Sequence, residues 1–144
     1  MKRSISASLA VCLLVIGANA FSADVPKGLQ GTWSLSAGEA DGKGLTEKQL
    51  KDGKLEIVGD DYTVALANRE TVKGTQTVDA TKEPKMIDIA DSSGPNKDKT
   101  CLGIYELIDD TFRVAVAPPG KPRPTSFTTH ADSGQWMHVW KRVK

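Results

Sequence analysis

The sequence predicts an all-β protein, an up-and-down antiparallel barrel of about eight strands with one short helix after the first strand. Short runs of alternating apolar and polar residues recur, separated by clusters of Gly, Asp, Asn and Pro, which is the pattern of all-β sandwiches and barrels. The connections 38–53, 91–99 and 118–124 are long, whereas 59–61 and 109–110 are short. In an up-and-down meander this arrangement gathers the long loops at one end, as in a cup with a mouth. A sandwich without a cavity is the alternative.

Nine runs have the composition of strands. In one of them Tyr62, Val64 and Leu66 alternate with small or polar residues, so that one face can be buried. A closed antiparallel meander needs an even number of strands, because its first and last strands must also pair antiparallel. We therefore expect residues 118–134 to form one excursion at the mouth, which leaves eight strands; a missed tenth strand is the alternative. The runs are 31–37, 54–58, 62–67, 71–78, 85–90, 100–108, 111–117, 125–130 and 135–143.

One segment has the signals of a helix. Thr46 precedes Gln49 by three residues, the spacing of a capping box, and Gly53 follows as a typical C-terminal residue. The sequence therefore predicts a helix of two turns or fewer between the first and second strands.

Residues 1–20 have the three parts of a secretory signal peptide. Lys2 and Arg3 supply positive charge, residues 9–16 form a short apolar run, and an Ala-x-Ala motif ends at Ala20. The apolar run is too short for a retained membrane anchor. We expect export to the periplasm or the extracellular space, with residues 21–144 forming one barrel domain. Cleavage after Ala23 is a second option.

Charge and cysteine content narrow the function classes. The chain has 19 Lys and Arg against 18 Asp and Glu, without the concentrated basic face that nucleic acids or anionic membranes require. We expect no nucleic-acid partner and no stable membrane insertion after cleavage of the signal peptide. Only Cys101 follows the leader, so an internal disulfide cannot form.

The start and the end of the predicted domain resemble the lipocalin and calycin group. In that group a Gly-x-Trp opens the first strand at the closed end, and a basic residue near the C-terminus packs over the indole. The matching residues here are Gly31, Trp33 and either Arg142 or Lys141. The resemblance implies that Trp33 plugs the barrel under Arg142, since a guanidinium stacks favourably on an indole ring.

Four motifs in order extend the resemblance over nearly the whole chain after the leader. The stretches LQGTWSL, DGKGLTEKQL, GPNKDKTCLGIYEL and VAPPGKPRPTSF are similar to a lipocalin-like domain family of unknown function, found as paralogues in planctomycete bacteria. The resemblance implies an exported lipocalin-like domain, and it implies no activity.

The residues do not predict an enzyme, a metal site or a cofactor. His130, His138 and Cys101 are the best candidate metal ligands, and no two of them lie at a ligand spacing. A Cys101–His138 nucleophile pair is disfavoured, because Cys101 lies in a half-buried strand with no oxyanion-forming turn beside it.

The loop 118–124 is the most informative connection for function. Its four prolines stiffen the chain, and we expect this stiffness to position Lys121 and Arg123 at the mouth, where they would meet the anionic end of a ligand. Tyr105 and His138 lie on strands with one inward face and are the other candidate ligand-binding residues. The function predicted is non-enzymatic binding of a small hydrophobic or amphipathic ligand in the barrel. The alternative is a protein–protein or cell-envelope interaction module that contacts an envelope protein through its long mouth loops, with a filled barrel.

Overall fold

The computed structural model describes residues 25–144, and the predicted leader with its cleavage site lies outside these described residues. A single 3₁₀ turn, Lys27–Leu29, precedes the first strand. The elements that follow are β1 (Gly31–Ala40), β2 (Lys43–Gly44), α1 (Glu47–Leu50), β3 (Lys54–Val58), β4 (Asp61–Ala65), β5 (Val72–Asp79), β6 (Lys85–Asp91), β7 (Thr100–Ile108), β8 (Thr111–Val116) and β9 (Trp136–Arg142).

Eight of these strands form a closed antiparallel barrel, which confirms the predicted fold class. The strands neighbour one another in the order β1-β3-β4-β5-β6-β7-β8-β9, and β1 also pairs with β9 to close the ring. The short β2 is an extra strand that pairs only with the end of β1. A bulge between Leu35 and Ala37 shifts the register of the closing pair, and such bulges bend a strand where a barrel must curve.

The run 125–130 has the composition of a strand but forms none, which agrees with the expectation that residues 118–134 are one excursion. Residues 117–135 form one excursion between β8 and β9 that runs over the outside of the barrel. The excursion is held there by side chains instead of a strand ladder: the Thr129 amide donates to the Glu39 carboxylate, and the Phe127 ring lies 4.0 Å from the Arg113 guanidinium carbon. The excursion continues to residue 135, where β9 follows, and the expected count of eight barrel strands is confirmed.

The predicted helix is present as one turn, α1. The Thr46 hydroxyl accepts from the Gln49 amide at 3.2 Å, and the Gln49 side chain accepts from the Thr46 amide at 2.8 Å. This is the capping box expected from the sequence.

The connections are sorted by end as the loop lengths predicted. The turns 59–60, 80–84 and 109–110 lie at one end of the barrel, and the four connections 41–53, 66–71, 92–99 and 117–135 lie at the other. We call these ends the closed end and the mouth.

Trp33 fills the closed end. Its side chain is fully buried, its indole nitrogen donates to the Leu29 carbonyl at 3.0 Å, and its ring packs on Phe112 with the centroids 5.7 Å apart. The Arg142 guanidinium carbon lies 4.3 Å from the centroid of the Trp33 ring. The contact implied by the resemblance is therefore present, with Arg142 and not Lys141 as the basic residue.

Gly31 and Arg142 join this plug to the barrel rim. Gly31 has φ of +118°, and a Cβ at this position would lie 3.3 Å from a terminal nitrogen of Arg142, so glycine suits both the backbone and the space. Arg142 donates to the carbonyls of Gln30, at 2.8 Å, and Gly28. It also pairs with Asp110 at 3.0 Å. The closed end is thus sealed by a ring, a cation and the chain entering β1.

Candidate functional site: the barrel cavity

The barrel interior holds a cavity of about 420 Å³ on the mouth side of the plug. This volume lies within the range of about 300–1,000 Å³ that is usual for small-molecule sites. All four mouth connections contribute to its lining, with Leu45 from the first, Arg69 from the second, Asn96 from the third and Gln135 from the fourth. The alternative prediction of a filled barrel is therefore not supported by the interior.

Apolar side chains make up most of the wall, because one face of every barrel strand points inward. Leu55, Val64 and Val72 come from consecutive strands on one side, and Val114 lies on the other. Trp140 is fully buried at the base of the wall. The strand wall of the cavity is therefore mostly apolar, and its polar members are Tyr62, Gln76, Asp91 and His138.

Gln76 is the main polar exception in the wall. It lies in the middle of β5 opposite Ile89 and is only 4% exposed. Its amide nitrogen is buried and, among the described residues, has no hydrogen-bond partner. An unpartnered buried polar group costs about 1–3 kcal/mol. This residue was missed at the sequence level, although its spacing of two and four from Gly74 and Val72 places it on the inward face of β5.

Tyr62 and Asp91 form a second polar feature, which is internally satisfied. The Tyr62 hydroxyl donates to the Asp91 carboxylate across β5. Gly74 lies between them, and a Cβ there would be 2.5 Å from the Tyr62 oxygen. Burial raises the pKa of Tyr62, with a further contribution from Asp91, and burial also raises the pKa of Asp91. The absence of a side chain at Gly74 allows this bridge to form.

His138 lines the cavity from β9, as the sequence predicted for an inward position. Burial lowers its pKa to about 4, with a smaller contribution from the positive charge of Arg69. The imidazole is therefore neutral at pH 7. Its ring meets Trp140 edge-on, with the centroids 5.5 Å apart. In the eight-stranded ring β9 lies four strands from β5, so His138 and Gln76 stand on opposite walls.

Tyr105 faces the barrel interior but does not line the cavity. It is 2% exposed and packs edge-on against Phe112, with the centroids 6.1 Å apart. Burial raises its pKa. Its surroundings are those of a packed core residue below the cavity, and the proposal that it contacts a ligand is not supported by its position.

Arg123 is not at the mouth, and the predicted position is corrected. Its guanidinium lies against the outside of the barrel, where it donates to the carbonyls of Ile87 at 3.0 Å and Gly103 at 2.7 Å and pairs with Asp88 at 2.7 Å. The segment 118–124 therefore passes along the outer wall, where Arg123 contacts β6 and β7. Lys121 is exposed and lines a separate surface depression of about 310 Å³ formed by residues 121–135.

Arg69 is the cation of the mouth connections that lines the cavity, among the described residues. It belongs to the connection 66–71, lines the cavity, and within residues 25–144 no carboxylate lies within ion-pair distance of its guanidinium. Arg69 lies between the predicted strands 62–67 and 71–78, in a connection that an up-and-down meander places at the mouth. It was overlooked because that connection is short.

Neither a metal cluster nor an activated thiol is present among residues 25–144. Within 25–144, no group of three His, Cys, Asp or Glu side chains is placed to hold a metal ion. Cys101 is buried, and burial raises the pKa of its thiol, which keeps it protonated.

No helix in the described part of the chain has the length and hydrophobicity to cross a membrane.

Comparisons with protein-family models, curated proteins and solved structures gave no match to this chain. The fold and the cavity therefore define the class of molecule by themselves: a small eight-stranded antiparallel barrel, plugged at one end, with an internal cavity that reaches the loops of the other.

Proposed function

We propose that this protein binds a small hydrophobic or amphipathic ligand inside the barrel and does not act as an enzyme. The observation that carries the proposal is the cavity of about 420 Å³, which apolar side chains line between the plug and the mouth. Burial of an apolar ligand contributes about 25 cal/mol per Å² of surface removed from water. A largely pre-formed cavity adds little ordering cost to binding.

Arg69 would set the orientation of an amphipathic ligand in the cavity. An amphipathic ligand with an anionic end would place its apolar body between the strands and that end beside the guanidinium of Arg69. In this proposal Arg69 takes the role that the sequence suggested for Lys121 and Arg123. The exposed position of Arg69 means that its attraction is screened by salt.

Displacement of a polarity-sensitive fluorophore by medium-chain fatty acids or alcohols tests the proposal. The variant Val64→Phe adds a ring inside the cavity, whereas Thr63→Phe adds the same ring to the outer face of the same strand. We expect at least about tenfold weaker binding for Val64→Phe and unchanged binding for Thr63→Phe. Equal binding by the two variants would place the fluorophore outside the barrel and contradict the proposal.

Export and an envelope location belong to the same proposal and rest on the leader-like residues 1–20. N-terminal sequencing of the protein recovered from periplasm and medium tests this. A mature N-terminus at residue 21 or 24 is expected, and an intact N-terminus in the cytoplasmic fraction would contradict it.

A further inference from the structure

We propose that the part of the ligand inside the barrel is uncharged and carries a hydrogen-bond acceptor, such as a carbonyl oxygen, and that the Gln76 amide donates to this acceptor. The inference deepens the proposed function and rests on it, because it names the chemistry of the part of the ligand that lies inside the barrel.

Gln76 places a hydrogen-bond donor without a partner in the cavity wall, among the described residues. Its amide nitrogen is buried in the wall of the cavity without a partner among residues 25–144, although buried polar groups are almost always hydrogen-bonded. The last torsion of a glutamine side chain is broad, so the amide can turn toward an acceptor that arrives in the cavity. A ligand acceptor would satisfy a donor that the folded chain leaves unsatisfied.

The charges of the cavity wall exclude a buried anion beside Gln76. Arg69 is the only Lys or Arg among the described lining residues, and it belongs to a mouth connection. His138, on the wall opposite Gln76, is neutral at pH 7 because of its burial. A carboxylate beside Gln76 would therefore be desolvated without a counter-cation, which is strongly unfavourable.

The hydrogen bond between Tyr62 and Asp91 disfavours a buried cation beside Gln76. Asp91 is the one acidic residue that lines the cavity from a strand beside β5, and its carboxylate already accepts from the Tyr62 hydroxyl. Asp91 also lies at the end of β6 nearest the mouth. Among residues 25–144, the Gln76 amide is then a buried donor without a partner in the cavity wall, and no Lys or Arg side chain lies beside it, which matches a neutral acceptor.

Four linear probes of equal chain length test the inference by competition against a fluorophore: a methyl ketone, the alkane, the carboxylic acid and the primary amine. We expect the full-length protein to bind the ketone about three- to tenfold more tightly than the alkane, the effect of one neutral hydrogen bond. Gln76→Met keeps a similar volume and removes the donor, so the ketone and the alkane should then bind equally.

Thr77→Met is the control, since Thr77 follows Gln76 in β5 and lies on the exposed outer face, and it should retain the preference for the ketone. Gln76→Met should fold with unchanged or greater stability, because it removes an unpartnered buried amide; a large loss of stability would show that Gln76 is satisfied within the fold and would overturn the inference.

The results separate the two proposals. Equal binding of ketone and alkane by the wild type, tightest binding of the amine, or tight binding of the acid that Arg69→Met does not weaken would overturn the inference and leave the proposed function standing. Failure of all four probes to bind would overturn both.

Discussion

The guanidinium of Arg142 lies over the ring of Trp33, 4.3 Å from its centroid, and joins the last residues of β9 to the first residues of β1. The pair does two things at once. It joins the first and last strands of the barrel, and it seals the closed end, so that a ligand can enter only from the mouth. Function must then be sought at the mouth, at the far end of the same strands.

Arg142→Met should lower stability without changing ligand binding. The substitution removes the cation–π contact and leaves the carbonyls of Gln30 and Gly28 without a donor. We expect a loss of about 2–3 kcal/mol in the free energy of unfolding, measured by urea denaturation. Lys141→Met is the control, because Lys141 is exposed and should change stability by less than about 0.5 kcal/mol. Equal losses would show that Arg142 is not part of a plug.

Gly74→Ala should disrupt the bridge between Tyr62 and Asp91. The new Cβ would clash with the Ala90 carbonyl oxygen and lie 2.5 Å from the Tyr62 hydroxyl, so the strand and the ring must both move. Overpacking of this kind costs about 1–3 kcal/mol, which thermal denaturation can measure. Gly44→Ala is the control, since nothing lies within 4 Å of a Cβ at that position. Wild-type stability in Gly74→Ala would contradict the described packing.

His138 should make stability depend on pH in the acidic range. Burial lowers its pKa to about 4 in the folded protein, below the ordinary histidine value of 6.5, so the unfolded chain binds the proton more readily. The stabilisation is fully present above pH 6.5 and is lost as the pH falls toward 4, by up to about 3 kcal/mol. The measurement is urea denaturation across this range, in which His138→Gln should flatten part of the slope.

His130→Gln is the control for that titration, because His130 is exposed on the excursion. It should leave the slope unchanged. An identical slope for the wild type and His138→Gln would show that the imidazole is not held neutral in the cavity wall.

Arg123→Met should act on the fold and leave the ligand site unchanged. Arg123 holds the excursion to the outer wall through Asp88 and the carbonyls of β6 and β7, and its loss should cost about 1–3 kcal/mol. Ligand affinity should stay within about twofold of the wild type, since Arg123 does not line the cavity. Lys121→Met should change neither quantity. A selective loss of affinity in Arg123→Met would restore the mouth position that the sequence suggested.

The sequence predicted the elements whose signals are local. Three local patterns correspond to features of the barrel: alternation along each strand, the capping box at Thr46, and the difference between long and short connections. The plug residues Gly31, Trp33 and Arg142 were predicted from a resemblance, and the structure brings them together.

The rest depended on packing between distant segments. The run 125–130 alternates like a strand, but the barrel ring is already closed by β1 and β9, so the run packs on the outside through its side chains. Arg123 follows that path and finds partners on β6 and β7. Whether Gln76 has a partner depends on every neighbouring side chain, which no local pattern specifies.

The most direct test of the central claim is an NMR measurement of contacts between a bound ligand and the methyl groups of the protein. With the methyl ketone at saturation, the account predicts intermolecular nuclear Overhauser effects to Val64, Ile89 and Val114, which line the cavity. It predicts none to Val58 and Ile108, which are exposed. Contacts to Val58 or Ile108 in place of the interior methyls would contradict binding inside the barrel.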